Sequence, residues 1–162
     1  MPDKQTIPRG WAARPVGELF DLDSGVAPVR FRPGDLCGPV LVYGANGPIG
    51  SSDLDNYGPG YLVGRVGAAG AVARVDSRIW ASDNALTLTP KISVCSYAFA
   101  GHILRFINIP CLATTTAQPL VTQGNLSRLG TLTPSDLAEQ SRIAAVLDTV
   151  DEAIAKTEAV IA

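Results

Sequence analysis

Short apolar runs bounded by glycine and proline occupy the first two thirds of the chain. Runs of about four to eight residues predict buried β-strands, because a stable helix needs a longer periodic stretch. Strands are predicted at residues 39–43, 61–66, 71–75 and 85–89. The connection Gly67-Ala-Ala-Gly70 is short enough to join the second and third of these strands as a hairpin.

The segments around these strands carry weaker patterns. Residues 1–15 contain three prolines and are predicted to be irregular, and residues 51–60 are polar and rich in Gly and Pro, which predicts a loop. Val16–Leu22 fits either a strand or a first helical turn. Ser93–Phe106 has an approximately helical spacing of apolar residues, whereas residues 108–134 show short apolar pieces and many threonines without a clear period.

The last segment has a different period. Thr133 or Ser135 can cap a helix there, with Pro134 close to its first turn, and neither Gly nor Pro follows. The helix would be about 27 residues and roughly 40 Å long. A 4-3-4-3-4 spacing, typical of a heptad seam, relates Ile143, Leu147, Val150, Ile154, Thr157 and Ile161.

This seam allows two arrangements. It can pack against the chain's own body, or it can pair with a second helix, in a homodimer or in a longer partner. The second is favoured, because the apolar stripe extends beyond what a body of this size needs to cover its core. The chain is therefore predicted to be α+β: a strand-rich domain over residues 1–132, then a long C-terminal helix over residues 133–162.

Charge divides the chain at the same place. The net charge is −2, but residues 136–162 carry six acids and two bases, whereas the remainder carries nine acids and eleven bases. The body is thus mildly basic and the helix acidic, which indicates two faces with different partners. Ten of the thirteen bases are arginine, which suits bidentate contacts to phosphate or guanine.

Membrane, secreted and disulfide-stabilised classes are disfavoured. No apolar run is long enough to span a bilayer, and the N-terminus lacks the apolar core of a signal peptide. Cys37, Cys95 and Cys111 are odd in number, widely spaced and form no CxxC pair, which argues against zinc and against a disulfide framework. A cytoplasmic location is expected.

One glycine-rich phrase has the spacing of a nucleotide-binding loop. Gly44, Gly47 and Gly50 follow a predicted strand, as in short-chain dehydrogenases. That interpretation requires a helix directly after the third glycine, and residues 51–60 cannot sustain one. No Tyr-x-x-x-Lys pair occurs either. A nucleotide-dependent reductase is therefore disfavoured.

Other chemistry lacks the residues it would need. His102 is the sole histidine, and the sequence offers neither a Cys/His nor a Ser/His/acid arrangement of any specificity. It has neither a phosphate-binding Gly-Lys loop nor a cluster of metal ligands. We expect a protein without catalytic residues, bound metal or cofactor of its own.

Four phrases, taken in this order, carry a family resemblance. They are Tyr43-Gly-Ala-Asn-Gly-Pro-Ile-Gly50, Gly64-Arg-Val-Gly-Ala-Ala-Gly70, Trp80-Ala-Ser-Asp-Asn-Ala-Leu86 and Leu137-Ala-Glu-Gln-Ser-Arg-Ile-Ala-Ala-Val-Leu-Asp148; Ala117-Gln-Pro-Leu120 is a less distinctive fifth. With these phrases the chain, from about Val16 onward, resembles the specificity subunits of type I restriction-modification systems. The helical phrase is the most specific of them.

The resemblance implies DNA recognition without catalysis. In that family a target-recognition domain reads one half of a split DNA site, and a helix spaces it from a second such domain and docks methyltransferase subunits. The methyltransferase binds S-adenosylmethionine and modifies adenine. The implied partners are double-stranded DNA and the methyltransferase subunit, with the restriction subunit as a further candidate. This chain has one recognition domain and a short helix, and so resembles half a subunit or a fragment of one.

Candidate DNA-binding residues lie in the glycine phrases and among the basic residues of the body. Asn can pair with adenine, Arg with guanine or phosphate, and Tyr, Ser and Lys with phosphate. The alternatives are structural: a capped turn for Asn46, and for Arg65 an ion pair with Asp83 or a bond to a carbonyl. The candidates are Tyr43, Asn46, Arg65, Arg74, Arg78, Ser82, Asn84 and Lys91. Ile143, Leu147, Val150, Ile154 and Ile161 are the candidates for contact with a partner helix.

Two functions remain in competition. One is sequence-specific DNA binding, in which an antiparallel homodimer would place two identical domains over a two-fold symmetric split site. The other is a protein-interaction module that occupies or retargets a methyltransferase subunit, with DNA binding secondary.

Overall fold

Ten strands and four α-helices occupy residues 7–114 and 119–161, the part of the chain that the computed structural model describes. The elements are β1 (Trp11–Pro15), α1 (Val16–Leu19), β2 (Phe20–Ser24), β3 (Arg32–Pro33), β4 (Val40–Gly44), β5 (Gly47–Ser52), β6 (Gly60–Gly64), β7 (Val72–Val75), β8 (Trp80–Ala81), β9 (Ala85–Pro90), α2 (Tyr97–Phe106), a 3-10 turn (Ile109–Leu112), α3 (Gln123–Arg128), β10 (Gly130–Pro134) and α4 (Leu137–Ile161). The fold is α+β with a long C-terminal helix, as predicted.

Three sheets organise these strands. One has the order β2-β9-β6-β7 and is antiparallel throughout. The second has the order β3-β5-β4-β8, in which β4 and β8 run parallel. The third is the antiparallel pair β1-β10, which brings the start of the described chain to the foot of α4.

The central strand β6 is buried on both faces, which explains its unbroken apolar sequence. Tyr61 and Val63 belong to the larger core, which includes side chains of α1, α2 and α3. Leu62, between them, belongs to a second cluster with Val75 and Ile79. Because side chains alternate across a strand, these two clusters cover opposite faces of the first sheet.

The strongest strand predictions are confirmed. Residues 39–43, 61–66, 71–75 and 85–89 correspond to β4, β6, β7 and β9, and β6 pairs with β7 as a hairpin. Val16–Leu22 contains both of its predicted alternatives, since one helical turn, α1, leads directly into β2.

Two strands with polar or proline-containing sequences, β5 and β1, were not predicted over their full length. The loop expected over residues 51–60 is wrong at its start, because β5 extends to Ser52. Ser51 and Ser52 are fully buried, and the Ser52 hydroxyl donates to the Val29 carbonyl at 2.9 Å. The irregular segment expected over residues 1–15 is likewise wrong from Trp11 onward, where β1 pairs with β10.

The long helix begins at Leu137 with a different cap from the predicted one. The Asp136 carboxylate accepts from the Ala138 backbone N–H at 2.9 Å, which is the contact of an N-cap residue. The prediction of Thr133 or Ser135 as the cap is therefore wrong. Thr133 lies in β10, where it is fully buried. The predicted boundary between residues 132 and 133 falls inside that strand.

Candidate nucleic-acid interface

Three turns meet at one end of the strands β4, β6 and β9. The first is Ala45-Asn46 between β4 and β5, the second is the β6–β7 connection, and the third is Ser82–Asn84 before β9. Gly47, in the first turn, and Gly67 and Gly70, in the second, have φ values of 115°, 80° and 88°. These left-handed conformations favour glycine, which accounts for the spacing of the glycine phrases.

Backbone hydrogen bonds hold the three turns together. The Ser82 N–H donates to the Tyr43 carbonyl at 3.0 Å and ties the third turn to the end of β4. The Arg65 N–H donates to the Asn84 carbonyl at 2.9 Å and ties the third turn to the end of β6. We call the assembly of these turns, residues 43–47, 64–71 and 82–84, the turn cluster.

Gly64 lets the first two turns approach closely. A Cβ atom at this position would lie 2.6 Å from the Ala45 carbonyl oxygen and closer still to the Ala68 carbonyl oxygen. A shallow cavity of about 140 Å³ lies beside this contact, and Asn46 and Ala73 are among its lining residues. The glycine is therefore required by packing, in addition to any contact with a ligand.

Two candidate residues of the cluster have structural roles. Ser82 is 1% exposed, and its hydroxyl accepts from the Asn84 N–H at 3.3 Å. Tyr43 is half-buried and packs against the second core cluster. These side chains therefore stabilise the turns through contacts within the protein.

The remaining candidates of the cluster are Asn46, Arg65 and Asn84, and the exposed Asp83 lies beside Asn84. Asn46 and Asn84 are exposed. Arg65 is half-buried, and its Nε is buried without a hydrogen-bond partner among the described residues. The ion pair with Asp83 that the sequence allowed does not form. The backbone on both sides is fixed, because the Arg65 carbonyl also accepts from the Val121 N–H at 2.9 Å.

Two other candidate arginines of the body are paired with carboxylates. The Arg74 Nε donates to Asp76 at 2.7 Å, and this hydrogen bond raises the pKa of Arg74; its guanidinium also stacks over the Tyr97 ring at 5.3 Å. A hydrogen bond from Arg78 to Asp55 raises the pKa of Arg78 in the same way.

Lys91 lies at the other end of β9 from the turn cluster. Its Nζ donates to the Gly17 carbonyl at 2.8 Å and lies 3.4 Å from Asp21. Five of the eight predicted residues thus meet in one cluster, namely Tyr43, Asn46, Arg65, Ser82 and Asn84. The three basic residues outside it, Arg74, Arg78 and Lys91, are already engaged with carboxylates.

The chemistry of the cluster fits a nucleobase edge. The side-chain amides of Asn46 and Asn84 each offer a donor and an acceptor, the pair that adenine requires in the major groove, and a guanidinium offers the two donors that guanine requires. Among the described residues, no three His, Cys, Asp or Glu side chains lie close enough to hold a metal ion.

The partner-helix candidates lie on α4. The base of this helix, residues 137–144, packs against the body, and the rest of its described length is exposed to solvent. Ala144 is fully buried and Ile143 packs on the larger core. Beyond them Leu147, Val150 and Ile154 are 39%, 50% and 51% exposed. Ile161 ends the helix, and its side chain lies outside what the structure describes. No helix in residues 7–114 and 119–161 combines the length and apolar character of a membrane span.

Sequence reasoning missed the role of two side chains in the helical phrase. Glu139 accepts from the Trp11 indole N–H at 3.2 Å, and Gln140 is fully buried within three hydrogen bonds. Nothing in the local sequence identifies their partners, because Trp11, Ser96 and Val94 lie more than 40 residues away and only Pro134 is close in sequence.

Solved structures with the same fold include specificity subunits. The chain matches the type I restriction-modification S subunit from M. genitalium with a TM-score of 0.77 and 23% identity, over 94% of this chain and 41% of that one. It matches the HsdS subunit from Thermoanaerobacter tengcongensis with a TM-score of 0.76 and 18% identity, over 100% and 42%. A chain from work on complex assembly and conformational transition of the type I R-M system gives a TM-score of 0.78 at 18% identity, over 99% and 43%. The chain thus spans about two fifths of each.

No curated protein matches the chain. A family model does match, over residues 8–162: the type I restriction modification DNA specificity domain. That match covers both the strand-rich body and the long helix. The chain therefore belongs to the family of type I restriction-modification DNA specificity domains.

Proposed function

We propose that this chain reads one half of a split duplex DNA site as the non-catalytic recognition part of a type I restriction-modification assembly. The observation that carries the proposal is the turn cluster: its three turns are tied by backbone hydrogen bonds, Asn46 and Asn84 are exposed in it, and the Arg65 Nε is buried without a partner among the described residues. Family membership supports the same function.

Affinity and base preference have different sources in this proposal. The body carries only two more bases than acids, and several of its arginines are paired with carboxylates. The electrostatic attraction to phosphate is therefore modest, since affinity for DNA grows with the number of phosphates neutralised. A second recognition domain or a methyltransferase subunit is needed to complete a tight clamp.

A methyltransferase subunit is the proposed catalytic partner. It would hold S-adenosylmethionine and modify adenine, while this chain supplies the sequence preference. The restriction subunit is a further candidate partner. We assign docking of the methyltransferase subunit to α4. This helix is acidic overall, and it exposes the apolar side chains of Leu147, Val150 and Ile154.

The same face supports a homodimer. Two copies paired antiparallel through α4 would cover these side chains and place two identical turn clusters at the two ends. The chain matches about two fifths of each similar S subunit, so each of those subunits is long enough to contain a second body of this size. The homodimer would then read a symmetric split site.

The test is selection from a library of randomised duplexes, using the chain together with the methyltransferase subunit encoded beside it. We expect recovery of a defined half-site whose binding weakens steeply as salt rises. Recovery of duplexes without any shared sequence would reject DNA recognition.

A second candidate function is favoured by the open face of α4. The chain could occupy or retarget a methyltransferase subunit through that face, with DNA binding secondary. Capture of the purified methyltransferase subunit in the absence of DNA, by a chain that shows no base preference in the selection, would favour this second function over the first.

A further inference from the structure

Among the described residues of α4, Gln140 is the only polar side chain that is fully buried. It is 0% exposed, and all of its polar atoms are used. Its Oε1 accepts from the Ser96 N–H at 2.8 Å, and its Nε2 donates to the Val94 carbonyl at 3.0 Å and to the Pro134 carbonyl at 2.9 Å. One side chain thus joins α4, the end of β10 and the segment that leads into α2.

The bond to Ser96 completes the cap of a different helix. Ser96 is the N-cap of α2, and its hydroxyl accepts from the Phe99 N–H at 3.3 Å. In a capping box, the third residue of the helix reaches back to the N-cap backbone N–H. In α2 that residue is Phe99, which has no acceptor. Gln140 supplies the missing acceptor from α4, so the capping box is divided between two helices.

A histidine–carboxylate hydrogen bond and an ion pair continue the contact along the same pair of helices. His102 Nε2 lies 2.9 Å from Asp148, and Arg105 Nη1 lies 2.9 Å from Asp151. Both pairs join residues 46 positions apart, so α2 and α4 run in the same direction. The carboxylates are more than half exposed, which makes these contacts weaker than the buried amide. Gln140 is therefore the strongest polar constraint on how α4 leaves the body.

We infer that Gln140 is a positioning residue: by completing the α2 cap from α4, it fixes the direction of α4 relative to the body that carries the turn cluster. Strand β9 begins directly after Asn84 of that cluster and ends at Pro90, four residues before Val94, to whose carbonyl Gln140 donates. A fixed helix direction sets where a partner on α4 sits relative to the turn cluster. If the chain reads DNA as proposed above, a fixed direction of α4 gives a defined spacing between the two halves of the DNA site; this consequence rests on the proposed function.

Gln140→Met tests the inference in the folded chain. Methionine has nearly the same length and fills the space, but makes none of the three hydrogen bonds. Arg142→Met is the matched control, because that side chain lies two residues further along the same helix and is exposed. We expect hydrogen exchange at the Ser96 and Phe99 amides to accelerate about tenfold or more in Gln140→Met, while exchange in β6 stays as in the parent.

A distance between spin labels reports the helix direction itself. Labels are placed at Asp23→Cys in β2 and Glu152→Cys in α4, both exposed, in a chain with Cys37→Ser and Cys111→Ser. Cys95 is fully buried and stays unlabelled. The parent and Arg142→Met should give one narrow distance distribution, and Gln140→Met a broader or shifted one. An unchanged distribution in folded Gln140→Met would overturn the inference.

A milder variant covers the case in which Gln140→Met does not fold. Gln140→Asn keeps the amide but is one methylene too short to hold all three partners. We expect it to fold and to broaden the same distribution. A folded Gln140→Asn with the distribution and the Ser96 exchange of the parent would equally overturn the inference.

Selection of randomised duplexes separates this inference from the proposed function. With the methyltransferase subunit present, the folded variant should recover the parental half-site sequence with a wider range of spacings. Loss of base preference at unchanged spacing would place Gln140 in support of the turn cluster and contradict the inference. If the parent recovers no shared sequence, the proposed function fails, and the label distances still decide the role of Gln140.

Discussion

The turn cluster and the base of α4 differ in how their polar side chains are hydrogen-bonded. At the base of α4 the Gln140 amide is fully buried, and each of its polar atoms has a partner. In the turn cluster, Asn46 and Asn84 face solvent and the Arg65 Nε is buried without a partner among the described residues. The Gln140 amide is thus satisfied within the fold, whereas the Arg65 Nε is not; near Gln140, the buried Thr133 hydroxyl also lacks a partner among the described residues.

The difference indicates a division of labour. A satisfied buried network adds rigidity and defines a single arrangement, whereas an unpaired buried group costs stability and is retained where a ligand can use it. Substitutions at the base of α4 should therefore change stability and geometry but not base preference. Substitutions in the turn cluster that leave its backbone intact should do the reverse.

The largest effect is expected for Gln140→Ala. Its removal leaves the Ser96 N–H and two carbonyls unpaired in a buried site and opens a small cavity, so the free energy of unfolding should fall by about 3 kcal/mol. Denaturant unfolding measures it, with Arg142→Ala as the exposed control. A loss below about 1 kcal/mol would show that water or a shifted backbone replaces these bonds and would remove the contrast between the two regions.

Gly64→Ala should cost somewhat less and should act on the turn cluster. The added Cβ would meet the Ala45 and Ala68 carbonyl oxygens, so the first two turns must separate, at a cost of about 2 kcal/mol. Gly130→Ala is the control, because a Cβ there meets no atom within 4 Å. Equal unfolding curves for the two variants would mean that the turns are not held in close contact.

The turns of the turn cluster could be predicted because their signals are local. Glycines at fixed offsets and the Ser82-Asp83-Asn84 turn predict chain reversals from a few residues, and their order along the chain carried the family resemblance. The ion pairs of the basic residues could not be predicted, for a physical reason. Arg74 and Arg78 look like Arg65 in sequence, and only the fold brings them to Asp76 and Asp55.

The base of α4 could be predicted only as a helix. Its heptad spacing indicated an apolar seam, and the structure divides that seam into a packed start at Ile143 and an open continuation from Leu147. The partners of Gln140 come from residues 94, 96 and 134, which no local period connects to it. Buried serines in β5 were missed for the same reason, since their partners lie in other loops.

Arg65→Met should separate recognition from stability. Methionine removes a buried nitrogen that has no partner, so unfolding should be unchanged or slightly harder, while binding to the selected duplex should weaken by about tenfold or more. Arg78→Met is the matched control, since that guanidinium is paired with Asp55. Similar losses of DNA affinity in both variants would point to a diffuse charge effect in place of a specific contact.

The smallest effect is expected at the exposed ion pair between Arg105 and Asp151, further along α4 than Gln140. Asp151→Asn removes the charge that faces Arg105, and because both side chains are more than half exposed, the free energy of unfolding should fall by about 0.5 kcal/mol. The difference from the parent should disappear in about 1 M salt, where such pairs are screened. A loss as large as that of Gln140→Ala would mean that this ion pair, and not the amide, fixes α4.

The most direct test of DNA reading by the turn cluster is hydrogen exchange of the chain and its methyltransferase subunit, with and without the selected duplex. We expect DNA to slow exchange at residues 43–47, 64–71 and 82–84, and to leave the Ser96 and Phe99 amides at the base of α4 as they were. A duplex that is bound with sequence preference but slows exchange only outside these three segments would contradict the account.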